Sequence, residues 1–489
     1  MSIETGTVVP ENLNKNVIVR VVGLNLGEEK KGGTVEWFSR ELEAHTVIRS
    51  GGGQSGHHIV FPDGSFQMLS HYGSGVFEGA NTHLKHMSVI PIYLYEEAEE
   101  LEEKGVKNPL NKITIDKDCL IVTPFHGAYS RLHERSRGEN KRGTVGTGAS
   151  EAMEDARQNP DLSVRARDLL GSRPELTTKL EAIRKAKLEQ AQALVDTYAS
   201  LLTIAAAQED YNVLSDESFT QVVVNSFLYL ADLVKIVGEE YIDEILAKNG
   251  AVVCEVSHGT LHHPRRGFVP NITQIDPTSQ DVLTTLKNHH PDKKIINIGV
   301  TRSYMTRHGA GPLVSFNQKM TDEIEETHNR GGSDWLGQFR NGNYDVIATR
   351  YALEVAGQAE SFDGLVISFM DILEKYDQWE VVEAYEYDGE KGPDFEEFFE
   401  VEDGKITAIK YRPDPGDDNF LEQQAHMTEY LKKCRPVLKT LVPKDGKTLA
   451  EVFLDYVEEK TDLPVVATSH GPKAEDMVKR PSFYKLFNQ

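Results

Sequence analysis

Residues 17–33 read VIVRVVGLNLGEEKKGG, and residues 49–58 read RSGGGQSGHH. The first stretch opens on a β-branched run, apolar except for Arg20, which predicts a buried strand. The strand enters a glycine- and lysine-rich turn that precedes a helical pattern. Because glycines let backbone N–H groups approach an anion and a helix N-terminus adds positive potential, this order is typical of a phosphate site. The standard P-loop motif Gly-x-x-x-x-Gly-Lys-Ser/Thr is absent, so a plain strand-to-helix connection is the alternative.

The composition narrows the classes of protein to consider. The chain has 489 residues, and a hydrophobic content of 39% allows a substantial core. The net charge of −24 argues against a nucleic-acid partner or an anionic membrane, since both need basic surfaces. The three cysteines are far apart and outside any C-x-x-C pair, which fits a reducing compartment. No secretory pattern and no run of 18 or more apolar residues is found, so we expect a cytoplasmic protein.

Strand patterns alternate with helical patterns along the chain, which predicts an α/β fold. We expect a large mixed, mostly parallel central sheet with helices on both faces. The predicted strands are 17–23, 46–49, 113–122, 251–256, 295–304, 364–369, 379–387, 405–411 and 463–468, the pair 379–387 and 405–411 being antiparallel. The predicted helices are 34–44, 98–104, 176–208, 221–248, 346–355 and 449–460.

The domain organisation that we expect is simple. Residues 1–15 are polar and predict a loose tail, and residues 16–489 predict one large α/β domain. Within it we expect a helical subregion at about 174–250 and an acidic surface insertion at about 388–430.

Glycine-containing turns follow at least four of the predicted strands. They begin at Gly27, His258, Arg307 and Ser469. Because ligands of parallel sheets bind beyond the carboxyl ends of the strands, we expect these turns to converge on one polar, phosphate-binding edge. A further loop at 134–168, rich in arginine and glycine, suits phosphate contact as well.

Nine short motifs, in order along residues 17–475, resemble those of adenylosuccinate synthetase, the ligase that joins aspartate to IMP using GTP. The family's Gly-Asp-Glu-Gly-Lys-Gly-Lys resembles residues 27–33, and its Gly-Gly-Asn-Asn-Ala-Gly-His resembles residues 51–57. Its Glu-Gly-Ala-Gln-Gly-Thr-Leu resembles residues 255–261. The other six matches are 143–148, 165–169, 306–312, 368–371, 434–437 and 469–472. The resemblance implies that family's fold, which is related to P-loop NTPases.

The resemblance also implies roles for individual residues. Glu28 takes the place of the base that removes the purine N1 proton and, with the carbonyl of Gly56, of a Mg²⁺ ligand. His57 takes the place of the catalytic acid, and Lys31 of a catalytic lysine that contacts phosphate. The other implied contacts are Gln54, Thr144, Arg165, His258 and Thr273 for the purine nucleotide, Gly32, Asp371, Ser469 and Gly471 for the donor nucleotide, and Arg340 for the amino acid.

The chain departs from the family pattern at several of these places. Glu28 stands in place of an aspartate, and Arg340 is what remains of an arginine-rich loop. The other departures are Lys30 for glycine, Gly33 for lysine, Val145 for threonine, His258 for glutamine and Phe369 for lysine. Phe369 offers a ring that suits stacking on a base.

The function that the resemblance implies is a carbon–nitrogen ligase of purine biosynthesis. It would join aspartate to an IMP-like purine 5′-monophosphate through a 6-phosphoryl intermediate, with GTP or ATP as donor and Mg²⁺ as cofactor. The family's counterpart of Arg165 comes from a partner subunit, which implies a homodimer. Two alternatives stay open: a paralogue that converts GMP or dGMP to a 2-aminoadenylosuccinate with ATP or dATP, as in the family's viral branch, and a purine-nucleotide-binding protein without ligase activity.

Overall fold

The computed structural model describes residues 13–138, 146–324 and 339–488. Within these ranges the strands are β1 Ile18–Gly23, β2 Thr46–Gly52, β3 His57–Val60, β4 Phe66–Leu69, β5 Asn81–Val89, β6 Ile113–Asp116, β7 Leu120–Ile121, β8 Val164–Arg165, β9 Lys235–Val237, β10 Val252–Val256, β11 Ile295–Arg302, β12 Met305–His308, β13 Phe339–Gly342, β14 Tyr344–Asp345, β15 Gly364–Ser368, β16 Trp379–Tyr387, β17 Phe399–Glu402, β18 Lys405–Ile409, β19 Cys434–Leu441, β20 Val465–Ser469 and β21 Met477–Lys479.

The helices of the same ranges are α1 Lys31–Glu41, α2 Pro91–Glu103, α3 Pro124–Ser136, α4 Ala149–Gln158, α5 Arg173–Thr197, α6 Ala205–Ser215, α7 Phe219–Leu233, α8 Tyr241–Leu246, α9 Gln280–His289, α10 Gln318–Glu323, α11 Val346–Val355, α12 Phe395–Phe398, α13 Asp418–Leu431, α14 Leu449–Thr461 and α15 Pro481–Phe487. In the part of the chain that the structure describes, no helix is long and apolar enough to cross a membrane.

A central sheet organises the described residues. Its strand order is β21-β20-β15-β11-β1-β10-β2-β5-β6-β9, with β7 beside β5 and β8 beside β7. All of its pairings are parallel except β20 with β21 and β7 with β8. The predicted α/β fold with a mostly parallel sheet is confirmed.

Strand β1 lies in the middle of this sheet and is buried on both faces. Val19 and Val21 share a hydrophobic cluster with Phe38 of α1 and Phe483 of α15. The alternate residue Ile18 belongs to a second cluster, formed with α8 and α9. Successive side chains of a strand point to opposite faces, and here helices cover both faces. Both sets of side chains are therefore buried, which explains the nearly continuous apolar run in the sequence.

A second sheet of five described strands shares a hydrophobic core with the first, which includes Leu365 and Ile367 of β15. Its order is β14-β16-β18-β17, with β19 on the other side of β16, and the predicted antiparallel pair of β16 and β18 is confirmed. Phe395, Phe398 and Phe399 are buried in the core that this sheet shares with α11 and α14. Residues 388–430 are therefore not confined to the surface, because their aromatic side chains complete that core.

Two predictions of long helices are wrong, since each segment is divided in the structure. In the segment 176–208, α5 ends at Thr197 and α6 begins at Ala205. The break lets α6 fold back, so that Ala207 and Leu214 are buried in the core shared with α3 and α5. In the segment 221–248, β9 separates α7 from α8 and pairs in parallel with β6. A strand of three residues exists only through this pairing with a distant segment, which local periodicity does not reveal.

The predicted strand 113–122 is also divided, into β6 and β7. The Asp116 carboxylate accepts a hydrogen bond from the backbone N–H of Asp118 at 2.8 Å. This turn chemistry of aspartate ends β6, and β7 then pairs with another part of β5.

Candidate active site

Three of the four glycine-containing turns meet at the carboxyl edge of the central sheet. Gly27, after β1, lies against the turn after β10, where a Cβ on Gly259 would stand 2.3 Å from the Gly27 nitrogen. The Lys30 ammonium donates to Ser469 Oγ, after β20, at 2.6 Å. The predicted convergence of the turns at Gly27, His258 and Ser469 is therefore confirmed.

The fourth turn belongs to a hairpin instead of following β11 directly. Arg307 of β12 pairs with Arg340 of β13. Both guanidinium groups donate to backbone carbonyls of the turn 309–312, at 2.7–2.9 Å. Burial, and then the charge of Arg340, lowers the pKa of Arg307 to about 9, and burial lowers the pKa of Arg340. Two adjacent guanidinium groups suit a carboxylate or phosphate ligand.

His57 is held by a buried charged network between the loop and the sheet. Its Nδ1 makes a short hydrogen bond to Glu255 Oε1. Arg49 Nη1 donates to the same oxygen at 2.5 Å, and Ser74 donates to the carboxylate through its backbone N–H at 2.8 Å and its hydroxyl at 2.6 Å. Arg49 and Glu255 come from the adjacent strands β2 and β10, at paired positions. The sheet register therefore fixes the position of the imidazole.

The protonation of this network follows from its burial. Burial, and then the charge of Arg49, lowers the pKa of His57 to about 4, against the opposing effect of Glu255. For Glu255, burial raises the pKa, but Arg49, His57 and Ser74 together lower it to about 2. At neutral pH a neutral imidazole therefore donates from Nδ1 to an ionised carboxylate, which leaves Nε2 as an acceptor.

The loop between β1 and α1 is closed by its own ion pair. Glu29 Oε1 accepts hydrogen bonds from the backbone N–H groups of Asn25 at 3.1 Å and Gly27 at 2.7 Å. Its other oxygen accepts from the Lys31 ammonium at 3.0 Å, and both side chains are 1% exposed. Lys31 also donates to the Gly27 carbonyl. The lysine expected at phosphate thus points into the loop, and its phosphate contact stays a prediction.

Glu28 lies half-buried beside this ion pair. Its backbone carbonyl accepts a hydrogen bond from Arg302 Nε at 2.5 Å. The Arg302 guanidinium lies 3.8 Å from the centroid of the Phe369 ring. A cation therefore covers one face of the ring, and the stacking of a base on Phe369 stays a prediction for its other face.

Buried polar atoms without a partner cluster near the glycine loop after β2. Among the described residues, Ser50 Oγ, Gln54 Oε1, Ser257 Oγ and His258 Nδ1 have no hydrogen-bond partner. His258 Nε2 lies 3.0 Å from Ser55 Oγ. Burial, more than the charge of nearby Lys31, lowers the pKa of His258 to about 4, so this imidazole is neutral. Buried polar groups are normally satisfied, so these atoms mark a place for a polar ligand or water.

Arg165 lies along a neighbouring cavity of about 240 Å³, and Thr273 directly precedes Gln274, another residue of its lining. Arg165 lines this cavity together with Gly51 and Ile275 of the same chain. Its guanidinium donates to the Asp118 carbonyl at 2.6 Å. The Thr273 hydroxyl accepts a hydrogen bond from the Ile275 backbone N–H at 3.3 Å. Thr144, and residues 325–338 before Arg340, lie outside the described residues.

The residues predicted for the donor nucleotide lie near the start of α1 and the end of β20. Ser469 Oγ donates to the Gly471 carbonyl at 2.8 Å. Asp371 Oδ1 is buried and has no hydrogen-bond partner among the described residues. Gly32 occupies the first turn of α1, where a Cβ would stand 2.7 Å from His57 Cβ. Glycine at this position therefore permits the close approach of α1 to His57.

The residues present fit a hard divalent cation. Glu28 offers a half-buried carboxylate, and Gly56 is exposed, with its backbone carbonyl in the loop before β3. Both donors are oxygen atoms, as Mg²⁺ requires, and this ion usually completes its shell with substrate phosphates and water.

Sequence reasoning does not single out Glu29, Arg49, Glu255 or Arg302. Arg49 and Glu255 carry a usable signal, because each is the one charged residue of a buried strand, and such a charge is normally paired. Glu29 carries no such signal, since its partners lie within its own loop. Arg302 carries none either, since it binds the distant Glu28 carbonyl and the hydroxyl groups of Tyr304 and Thr306.

A parallel sheet covered on both faces, with glycine-containing turns joined at its carboxyl edge, defines an α/β protein of the nucleotide-binding type. The adenylosuccinate synthetase family model matches residues 20–478. The chain is 28% identical to adenylosuccinate synthetase of Chlorobium chlorochromatii over 94% of this chain and 96% of that protein, and 29% identical to that of Chlorobium limicola with the same coverage.

Two solved structures share the fold. The fully ligated adenylosuccinate synthetase of Plasmodium falciparum has a TM-score of 0.71 at 18% identity, with 95% of this chain and 100% of that chain covered. Cyanophage S-2L succinoaminodeoxyadenylate synthetase, bound to dGMP and dATP, has a TM-score of 0.55 at 13% identity, with 96% and 98% covered. The chain belongs to the adenylosuccinate synthetase family, a family of carbon–nitrogen ligases.

We predict that Glu255→Gln lowers the free energy of unfolding by about 3 kcal/mol or more, because it leaves the Arg49 guanidinium buried without a counter-charge. Urea-induced unfolding measures the change. The control is Glu154→Gln, which removes an exposed partner of Arg157 and should cost less than about 1 kcal/mol. Equal costs for the two variants would contradict the assigned importance of the buried pair.

Proposed function

We propose that the chain joins aspartate to an IMP-like purine 5′-monophosphate through a 6-phosphoryl intermediate, driven by GTP or ATP. The observation that carries the proposal is His57, fixed by Glu255 at the sheet edge where the loop of residues 27–33 meets the turns after β10 and β20. An acid–base group beside a closed glycine loop is what phosphoryl transfer to a purine oxygen requires.

In the proposed reaction, the Glu28 carboxylate takes the purine N1 proton and the 6-oxygen attacks the γ-phosphorus of the donor. The bond from that phosphorus to the β-phosphate oxygen breaks, and the nucleoside diphosphate leaves. The aspartate amine then bonds to C6 and loses a proton, and the C6–O bond breaks as phosphate leaves. His57 would lie beside the reacting oxygen, because Glu255 holds its Nδ1 and so directs Nε2 at the substrate. Nε2 accepts in the neutral imidazole, so it would act as the acid after it takes up a proton. Mg²⁺ held by Glu28 and the Gly56 carbonyl would neutralise charge on the transferring phosphoryl group. Lys31, which Glu29 holds within the loop, is the proposed source of further positive charge there.

The proposed purine pocket consists of Gln54, Thr144, Arg165, His258 and Thr273. The unpartnered atoms of Gln54 and His258 support it, because the polar edge of a nucleotide would satisfy them. The 240 Å³ cavity, which Ser50 and Gly51 line near Gln54, offers room for part of such a ligand. We also propose a cytoplasmic location and the homodimer, in which Arg165 would reach the partner's purine pocket.

The proposed site for the aspartate carboxylates is Arg340. Its guanidinium lies beside that of Arg307, and its contacts among the described residues are backbone carbonyls, which leave its charge without a carboxylate partner there. A dicarboxylate would supply that counter-charge.

For the donor we favour GTP over ATP. The buried, unpartnered Asp371 Oδ1 carries this preference, because guanine presents N1–H and N2–H donors that a carboxylate accepts, whereas adenine lacks both at that edge. Gly32, Ser469 and Gly471 would lie along the donor's path between Asp371 and the loop.

The test is an assay of IMP, GMP and dGMP with aspartate, each against GTP and ATP. We expect phosphate release and product with IMP and GTP, measured by phosphate detection and chromatography. If the chain turns over GMP or dGMP but not IMP, the acceptor is the guanine nucleotide instead of IMP. If no pair turns over while nucleotides still bind in calorimetry, the chain is not a ligase and the proposal fails.

We predict that His57→Ala abolishes turnover, with at least a roughly 100-fold loss of kcat, as expected for removal of a general acid–base group. The circular dichroism spectrum should be unchanged, since the Arg49–Glu255 pair remains. The matched control is the neighbouring His58→Ala, whose ring packs edge-on against Phe66 and which should keep near-normal activity. Near-normal turnover in His57→Ala would overturn its assignment.

We predict that Asp371→Asn raises the KM for GTP by roughly 10- to 100-fold, because a hydrogen bond to a charged group contributes about 1.5–3 kcal/mol. The KM for IMP should not change. Initial-rate measurements with GTP and ATP give the donor preference, and Asp377→Asn, a nearby exposed aspartate, is the control. An unchanged GTP preference would show that Asp371 does not bind the base.

A further inference from the structure

Lys30 occupies a backbone conformation that disfavours it. Its φ of 67° and ψ of 37° lie in the left-handed region, where glycine is comfortable and a lysine is strained. The family motif that resembles this loop has glycine at the same position. A non-glycine residue persists in such a conformation when its surroundings hold it. The contacts of the Lys30 side chain are therefore informative.

The Lys30 ammonium is fully engaged by one turn. It donates to Ser469 Oγ at 2.6 Å, to the Gly471 carbonyl at 2.6 Å and to the Lys473 carbonyl at 3.1 Å. An ammonium has three N–H groups, so these three acceptors satisfy it. All three lie at or just after the end of β20, whereas Lys30 itself precedes α1. The side chain thus joins two turns that approach each other only in the folded chain.

The Lys30 side chain occupies the space beside Gly33. A Cβ on Gly33 would stand 2.8 Å from Lys30 Cε and 3.2 Å from Lys30 Cγ. The lysine chain therefore crosses the face of α1 where a side chain at position 33 would begin, and a Cβ at position 33 would push the Lys30 side chain from its present path. The family motif has the opposite pair, glycine and then lysine. A lysine at 33 would start beside the atom that carries the present ammonium, and its four-carbon stem would reach the same acceptors.

We propose that Lys30 is a positioning residue for the phosphoryl donor. It replaces a lysine at position 33 and fixes the turn after β20 against the start of α1. The inference rests on the proposed function, in which Ser469 and Gly471 contact the donor. Loss of the ammonium would free that turn and weaken donor binding, while the purine pocket near Gln54 and His258 would stay intact.

The experiment compares Lys30→Met, Lys30→Gly and the double variant Lys30→Gly/Gly33→Lys. We expect the two single variants to raise the KM for the donor about tenfold or more, with the KM values for the purine nucleotide and aspartate unchanged. The double variant should restore the donor KM to within about threefold of wild type, because the lysine at position 33 would bring an ammonium group back to the same acceptors. The control is Lys473→Met, which removes an ammonium from the same turn but leaves its carbonyl to accept from Lys30.

Binding measurements keep this test separate from that of the ligase activity. If the wild type does not turn over, the dissociation constant of a non-hydrolysable GTP or ATP analogue, measured by calorimetry, takes the place of the donor KM, and the same pattern is expected. If Lys30→Met does not fold, Lys30→Gly carries the comparison, since glycine relieves the backbone strain. An unchanged donor affinity in a folded Lys30 variant, or a folded double variant that does not recover, would overturn the proposal.

Discussion

A single buried carboxylate, that of Glu255, holds the carboxyl edge of the central sheet together. It accepts hydrogen bonds from Arg49 on the next strand and from both the backbone and hydroxyl of Ser74. It also binds His57, which stands on a hairpin outside the central sheet. A buried ion pair of this kind adds little net stability over apolar packing, but removing one partner is costly. The network is therefore best understood as a positional constraint that ties the hairpin to the register of β2 and β10.

The loop between β1 and α1 obeys a second, internal constraint. Glu29 caps two backbone N–H groups and neutralises Lys31, so the loop keeps its shape without a ligand. Lys30 and Arg302 then join this loop to the turns of other strands. Preorganisation of this type lowers the cost of ordering the site when nucleotides bind. It also explains how a loop with an altered order of glycine and lysine retains a defined conformation.

Much of the architecture could be predicted from the sequence, because burial on both faces of a parallel sheet leaves continuous apolar runs such as that of β1. The errors fall where a distant segment decides the local conformation. The strand β9 exists only beside β6, and Phe395 is buried only because the second sheet covers it. The ring of Phe369 looked available for a base, yet Arg302 covers one face of it. Neither the pairing nor the covering group leaves a trace in the local sequence.

The sequence by itself determined the family, the parallel sheet and the glycine turns at its edge, since the order of motifs and the run of apolar residues are properties of the chain. Only the tertiary structure decided which charges in those motifs face each other. Glu28 and Glu29 are adjacent and chemically alike, but one lies half-buried at the surface of the loop and the other is sealed within it by Lys31. The opening glycine turn is therefore a shared feature of the family, whereas its working geometry depends on contacts with strands that lie hundreds of residues away, where burial strengthens each interaction.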